Sequence, residues 1–174
     1  MLKMKNITKL FLYLNLCLTL LACSKISPKG EIEVKDVTVE NFTKLNLKGD
    51  FKVFFAKGNQ NLVSVETYPN VYKNLDIEVE NGILTIEKNR KTDQVDFYNI
   101  TIFGKNDLNE VSLSDKVEMN VSGQVKTPEF LLHLKGNSKF MGAVIAPKSK
   151  IEMSEKSNAN ILGETKNLNL KLKT

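Results

Sequence analysis

From Glu31 onward, apolar and polar residues alternate one by one, which places successive side chains on opposite faces of an extended strand. Leu45/Leu47, Val63/Val65, Leu84/Ile86, Ile100/Ile102, Leu132/Leu134 and Leu168/Leu170/Leu172 carry the pattern through the whole chain. Helical character is confined to Pro69–Leu75, where a proline can open a turn without losing a needed donor. The pattern predicts an all-β chain with a single helical turn.

A slower period overlies the alternation in the C-terminal third. Leu132-His133-Leu134-Lys135-Gly136 follows Val111-Ser112-Leu113-Ser114-Asp115 after 21 residues, Ile151-Glu152-Met153 follows after 19, and Leu170-Lys171-Leu172 after 19 again. Each copy runs apolar-polar-apolar into a short polar corner. A unit of about 20 residues that cannot bury its apolar face alone buries it by stacking on its neighbour. Residues 108–174 are therefore expected to form a right-handed β-solenoid-like stack of coils, with an antiparallel sandwich as the alternative. The N-terminal β region is less regular and leaves room for hairpins. The final strand, Asn167–Thr174, would leave an open edge guarded by Lys166, Lys171 and Lys173.

The first residues follow another logic. Lys3, Lys5 and Lys9 precede an apolar run from Leu10 to Leu21, too short to span a bilayer. Leu20-Leu21-Ala22-Cys23 closes it and resembles a bacterial lipoprotein lipobox, in which only a thiol can become the lipid-bearing thioether. That resemblance implies a signal peptide over residues 1–22, an acylated (palmitate-bearing) Cys23 with a polar tether to residue 30, and a β domain over 31–174. The expected membrane contact is this N-terminal lipid. Surface-export signals after such a cysteine are acidic, and Ser24–Lys29 contains no acid, so the expected location is the periplasmic face of the outer membrane.

Without residues 1–23 the formal charge of +5 falls to +2, because that segment holds three lysines and no acids. The lysines are dispersed and Arg90 is the sole arginine, so no nucleic-acid partner is expected. Beyond Cys23 the chain has no thiol, which leaves neither a disulfide nor a cysteine nucleophile.

The run Phe42-Thr43-Lys44-Leu45-Asn46-Leu47-Lys48-Gly49-Asp50-Phe51-Lys52-Val53 is similar to the opening of the head GIN domain family, labelled putative auto-transporter adhesins. Leu62–Glu66, the turn from Tyr68 to Leu75 and the segment Glu80-Asn81-Gly82-Ile83-Leu84-Thr85-Ile86 match further family features in order. The family's Ser-Gly-Ser-Gly-Asp-like corners are degenerate here: Ser114-Asp115-Lys116, Lys135-Gly136-Asn137-Ser138 and Ser154-Glu155-Lys156-Ser157. The resemblance, over roughly residues 35–174, implies an envelope binding or scaffolding module with no catalytic residues.

Read residue by residue, the chemistry is sparse. His133, the only histidine, lies between two leucines and is expected to face solvent. No Cys/His spacing suggests a metal, and no cofactor is expected. Glu31/Glu33, Glu78/Glu80 and Glu152/Glu155 lack a partner that would separate their pKa values. Tyr68, Tyr72 and Tyr98 are candidate ligand contacts, the alternative being that they cap the open end of the stack with rings packed and hydroxyls wet. One of Phe54 and Phe55 must face outward. The function expected is a lipid-anchored, non-catalytic, adhesin-like binding domain for an unidentified envelope protein or polysaccharide, in an oligomeric state left open. The alternative is a cell-wall or polysaccharide hydrolase or lyase, which carboxylates grooved beside Arg90 would favour. An enclosed apolar cavity would instead mark a transport or folding accessory.

Overall fold

The computed structural model describes residues 25–173, so Cys23 and the segment before it lie outside the described residues. Fourteen strands and one helical turn follow in order: β1 (Glu33–Thr38), β2 (Lys44–Gly49), β3 (Lys52–Lys57), β4 (Leu62–Thr67), α1 (Pro69–Tyr72), β5 (Leu75–Glu80), β6 (Ile83–Lys88), β7 (Asn99–Gly104), β8 (Glu110–Asp115), β9 (Glu118–Lys126), β10 (Glu129–Leu134), β11 (Lys139–Ile145), β12 (Lys148–Ser154), β13 (Asn158–Glu164) and β14 (Asn167–Lys173). They form two seven-stranded sheets. Sheet I has the order β1-β4-β7-β3-β9-β11-β13, and sheet II the order β14-β12-β10-β8-β2-β6-β5.

Each coil contributes one strand to each sheet, and parallel pairing stacks the coils. β8, β10, β12 and β14 pair in sequence order in sheet II, as the C-terminal repeat predicts. The unequal offsets also have a cause. β9 and β11 pair at an offset of 21 residues at Glu118↔Lys139 and of 19 at Gln124↔Ala143, so a bulge before Gln124 absorbs the two extra residues of that coil.

The N-terminal part stacks out of sequence order. β2 lies between β6 and β8, so the coil β6–β7 sits outside β2–β3 although it follows it in the chain. Antiparallel pairs finish this end: β5 with β6, β4 with β7, and β1 with β4. The β5–β6 hairpin turns on Asn81 and Gly82 at φ 52° and 76°, the left-handed pair a two-residue turn requires. α1 carries the chain from sheet I to sheet II. Pro69 stands in its first turn, and its buried Val71 plugs the end of the core.

Between the sheets, inward side chains form files across the stack. Leu84, Leu45, Val111, Leu132, Ile151 and Leu170 share one register position, and Ile86, Leu47, Leu113, Leu134, Met153 and Leu172 the next. Burial is complete in the middle and fades toward the C-terminal end, where every residue of β14 is exposed. Phe55 is buried, whereas its neighbour Phe54 faces outward from sheet I.

The segment expected as a tether lies against the domain from Ile26 onward. Ile26 bridges to Thr92, its amide donating to the Lys91 carbonyl at 3.0 Å. Asn70 holds it from the other side, accepting from the Lys29 amide and donating to the Ser27 carbonyl.

Candidate functional site

β2, β8, β10 and β12 each leave sheet II through a short corner, and the corners stack. The Lys116 amide donates to the Gly49 carbonyl at 2.7 Å, Asn137 to Asp115 at 2.6 Å and Lys156 to Gly136 at 3.0 Å. Asp115, Gly136 and Glu155 take left-handed backbone at φ 62°, 77° and 61°, and so turn the chain at equivalent points. The longer loop after β6 overhangs this file, fixed by Asn74, whose side chain accepts from the Arg90 amide and donates to the Arg90 carbonyl.

The corners and the overhanging loop enclose an open groove of about 660 Å³. Lys25, Lys48, Lys88, Arg90, Lys91 and Lys116 line it against Asp50, Asp115 and Glu155, so cations outnumber anions six to three. Lys88 bonds Asp50 and Lys48 bonds Glu87. The hydrogen bond and charge of Glu87 raise the pKa of the Lys48 ammonium. Arg90, Lys91 and Lys116 have no ion-pair partner among the described residues and present their charge to the groove.

The acids of the groove are less suited to proton transfer. Asp50 is engaged by Lys88, and Gly136 stands between Asp115 and Glu155 in the file of corners. No three His, Cys, Asp or Glu side chains converge on a metal position among the described residues.

A second, smaller groove of about 220 Å³ crosses the outer face of sheet II, lined by Asn46, Ser112, Ser114, His133, Lys135 and Glu152 among others. Register aligns Asn46, Ser112, His133, Glu152 and Lys171 in one row across neighbouring strands. Ser112, His133 and Glu152 have the residue types of a nucleophile, base and acid, but the geometry does not join them. His133 Nδ1 lies 3.6 Å from Glu152 Oε2, beyond hydrogen-bond reach, and Glu152 is bonded instead by Lys150 at 3.0 Å. That bond, opposed by partial burial and reinforced by the charges of Lys150, Lys171 and His133, lowers the Glu152 pKa and keeps it an anion.

The three tyrosines divide. Tyr98 is buried with its ring centroid 5.3 Å from that of Phe51, and its hydroxyl has no hydrogen-bond partner among the described residues. Burial, with a smaller contribution from Asp50, pushes its phenol pKa far up. It has no free face for a ligand. Tyr68 caps α1 and Tyr72 ends it, both half-buried against the core at the capped end with a wet surface.

The corner groove escapes sequence reasoning because its parts lie far apart in the chain. Lys88–Lys91 and Ser114–Lys116 read as separate polar turns. What joins them is the order β6-β2-β8, which a repeat period does not reveal.

A two-sheet stack of β-coils, capped at one end and bearing open polar grooves, defines an all-β, solenoid-like class of domain. The chain belongs to the family described as "Putative auto-transporter adhesin, head GIN domain", whose model matches residues 41–174. Solved structures share the fold. A putative adhesin from Parabacteroides distasonis is 14% identical, with a TM-score of 0.64 over 86% of this chain and 73% of that one. A putative lipid binding protein from the same species is 17% identical, with a TM-score of 0.62 over 82% and 70% of the two chains. A putative adhesin from Bacteroides fragilis is 13% identical, with a TM-score of 0.62 over 85% and 96%. No curated protein matches the sequence.

Proposed function

We propose that this protein is a lipid-anchored component of the cell envelope, held at the periplasmic face of the outer membrane, whose β domain binds an anionic envelope polymer without catalysis. The observation that carries the reading is the corner groove, with its excess of cations and with Arg90, Lys91 and Lys116 unpaired among the described residues. Positive charge on the overhanging loop at Arg90 and Lys91 and on the corner at Lys116 favours a linear polyanion by Coulomb attraction, which salt screens over about 8–10 Å. Membership of an adhesin-labelled family supports a binding role. The docking of Ile26 at Lys91–Asp93, beside the groove, supports an anchor on that same edge.

One observation favours a polysaccharide lyase or hydrolase as a second reading: Asp50, Asp115 and Glu155 line the same groove as Arg90. A single experiment separates the two. The protein is incubated with polygalacturonate, and both retention of the polymer and the ultraviolet absorbance of newly formed carbon–carbon double bonds are followed. Binding that weakens about tenfold in Arg90→Glu/Lys116→Glu and falls with salt, with no new absorbance or reducing ends, is the expected result. Turnover abolished by Asp115→Asn would establish the enzyme reading, and retention unchanged by the charge reversals would overturn the groove as the binding site.

A further inference from the structure

The capped end and the opposite end of the stack are finished differently. At the C-terminal side, β12 and β13 form the last full coil and β14 adds one more strand to sheet II, while sheet I stops at β13. Two strand edges are therefore open among the described residues, offset by one strand spacing of about 4.8 Å. Leu168, Leu170 and Leu172 of β14 are 56%, 53% and 68% exposed, although Leu132 and Leu134, at the register positions that Leu170 and Leu172 continue, are buried. Among the described residues no layer lies beneath these core side chains.

We propose that a second copy of this chain covers this end, related by a two-fold axis parallel to the strands, so that β14 of each copy pairs antiparallel with β13 of the other. Such a rotation exchanges the two sheets and preserves the strand axis. β13 and β14 run in opposite directions across the Thr165-Lys166 corner, so β14 arrives beside the other copy's β13 in antiparallel sense. The half-coil step of one copy then fills the step of the other, and both sheets continue unbroken through the interface. A two-fold perpendicular to the sheets would instead pair β14 with β14 and hold the two β13 edges apart by the width of two missing strands.

The side chains agree with this pairing. In the full seven-residue register, the inward positions set Leu172 against Ala159, Leu170 against Ile161 and Leu168 against Gly163, so two of the three leucines face the small residues that leave them room. The outward positions set Lys173 against Asn158, Lys171 against Asn160, Asn169 against Leu162 and Asn167 against Glu164. No like charges are opposed, a condition that cross-strand pairs require for stability. The lysines, which would guard an edge against indiscriminate pairing, here meet only asparagines. A rotation about the strand direction also leaves the corner edge on its own side, so both N-terminal segments emerge along the same edge. On the anchoring reading, and for this consequence alone, two lipids would then enter one membrane.

Sedimentation equilibrium of the full chain in density-matched detergent is expected to show a reversible monomer–dimer equilibrium, which Leu170→Lys weakens at least tenfold. Because an edge substitution can also loosen the fold, a second arm uses Asn160→Cys/Lys171→Cys in a chain with Cys17 and Cys23 replaced by Ser. Residues 160 and 171 lie on opposite outer faces of one copy, so their disulfide forms only between copies. Covalent dimer on mild oxidation is expected, with little from the off-register pair Asn160→Cys/Asn167→Cys. A strictly monomeric wild type, or equal cross-linking by both pairs, would overturn the proposal. This arm has no acylatable Cys23, so its failure is distinct from a failure of anchoring.

Discussion

Leu134 and His133 are neighbours in β10 with opposite fates. Leu134 is 2% exposed in the file of Leu113, Met153 and Leu172, whereas His133 points outward beside Glu152. Truncating Leu134 to Ala removes buried methyl groups and leaves a cavity, so urea denaturation should show a loss of about 2–5 kcal/mol. His133→Ala should stay within about 0.5 kcal/mol of wild type, since the half-buried Glu152 carboxylate beside it is already bonded by Lys150. The reverse ranking would mean that the strand register is inverted. Alternation alone made both assignments legible, because a period of two distinguishes the faces of a strand. Tyr98 was not legible in the same way. It stands just before β7, where alternation gives way to a loop, and only the packing against Phe51 shows that its ring lies inside.

At the scale of elements, the repeat predicted the stacked strands β8 to β14 and the corners between them, since each was written as apolar-polar-apolar followed by a polar turn. It did not reveal why the first offset was longer, because a bulge has no period of its own. The corners show how equivalent positions can carry different constraints. Gly136 and Glu155 both turn the chain through left-handed backbone, but a Cβ on residue 136 would meet the Asp115 carbonyl oxygen at 2.7 Å. Gly136→Ala should therefore cost about 1–3 kcal/mol through the clash and the strained backbone. Glu155→Gly relieves a side chain held at positive φ and should be neutral or stabilising by up to about 1 kcal/mol. Thermal melts should therefore place Gly136→Ala below wild type and Glu155→Gly level with it or above, and a Gly136→Ala protein that melts with wild type would show that the corners are not stacked this tightly.

At the scale of the molecule, the order of coils decides what the chain can do. Placing β6–β7 outside β2–β3 brings the Arg90 loop over the corners at Gly49 and Asp115 and creates the cationic groove, and the docked segment at Ile26 sets the chain's N-terminal approach on that same edge. Neither arrangement follows from local pattern, since both depend on which strand lies beside which. The described molecule thus has one edge carrying its docked N-terminal segment, one capped end and one open end. The proposed anchoring turns on Cys23 carrying a lipid, which would contribute about 0.8 kcal/mol per buried methylene. Metabolic labelling with an alkyne fatty acid, followed by membrane fractionation of the wild type and of Cys23→Ala, measures this directly. Label is expected on the wild type in the membrane fraction and none on Cys23→Ala, and a wild-type protein that takes up no label would overturn the anchoring.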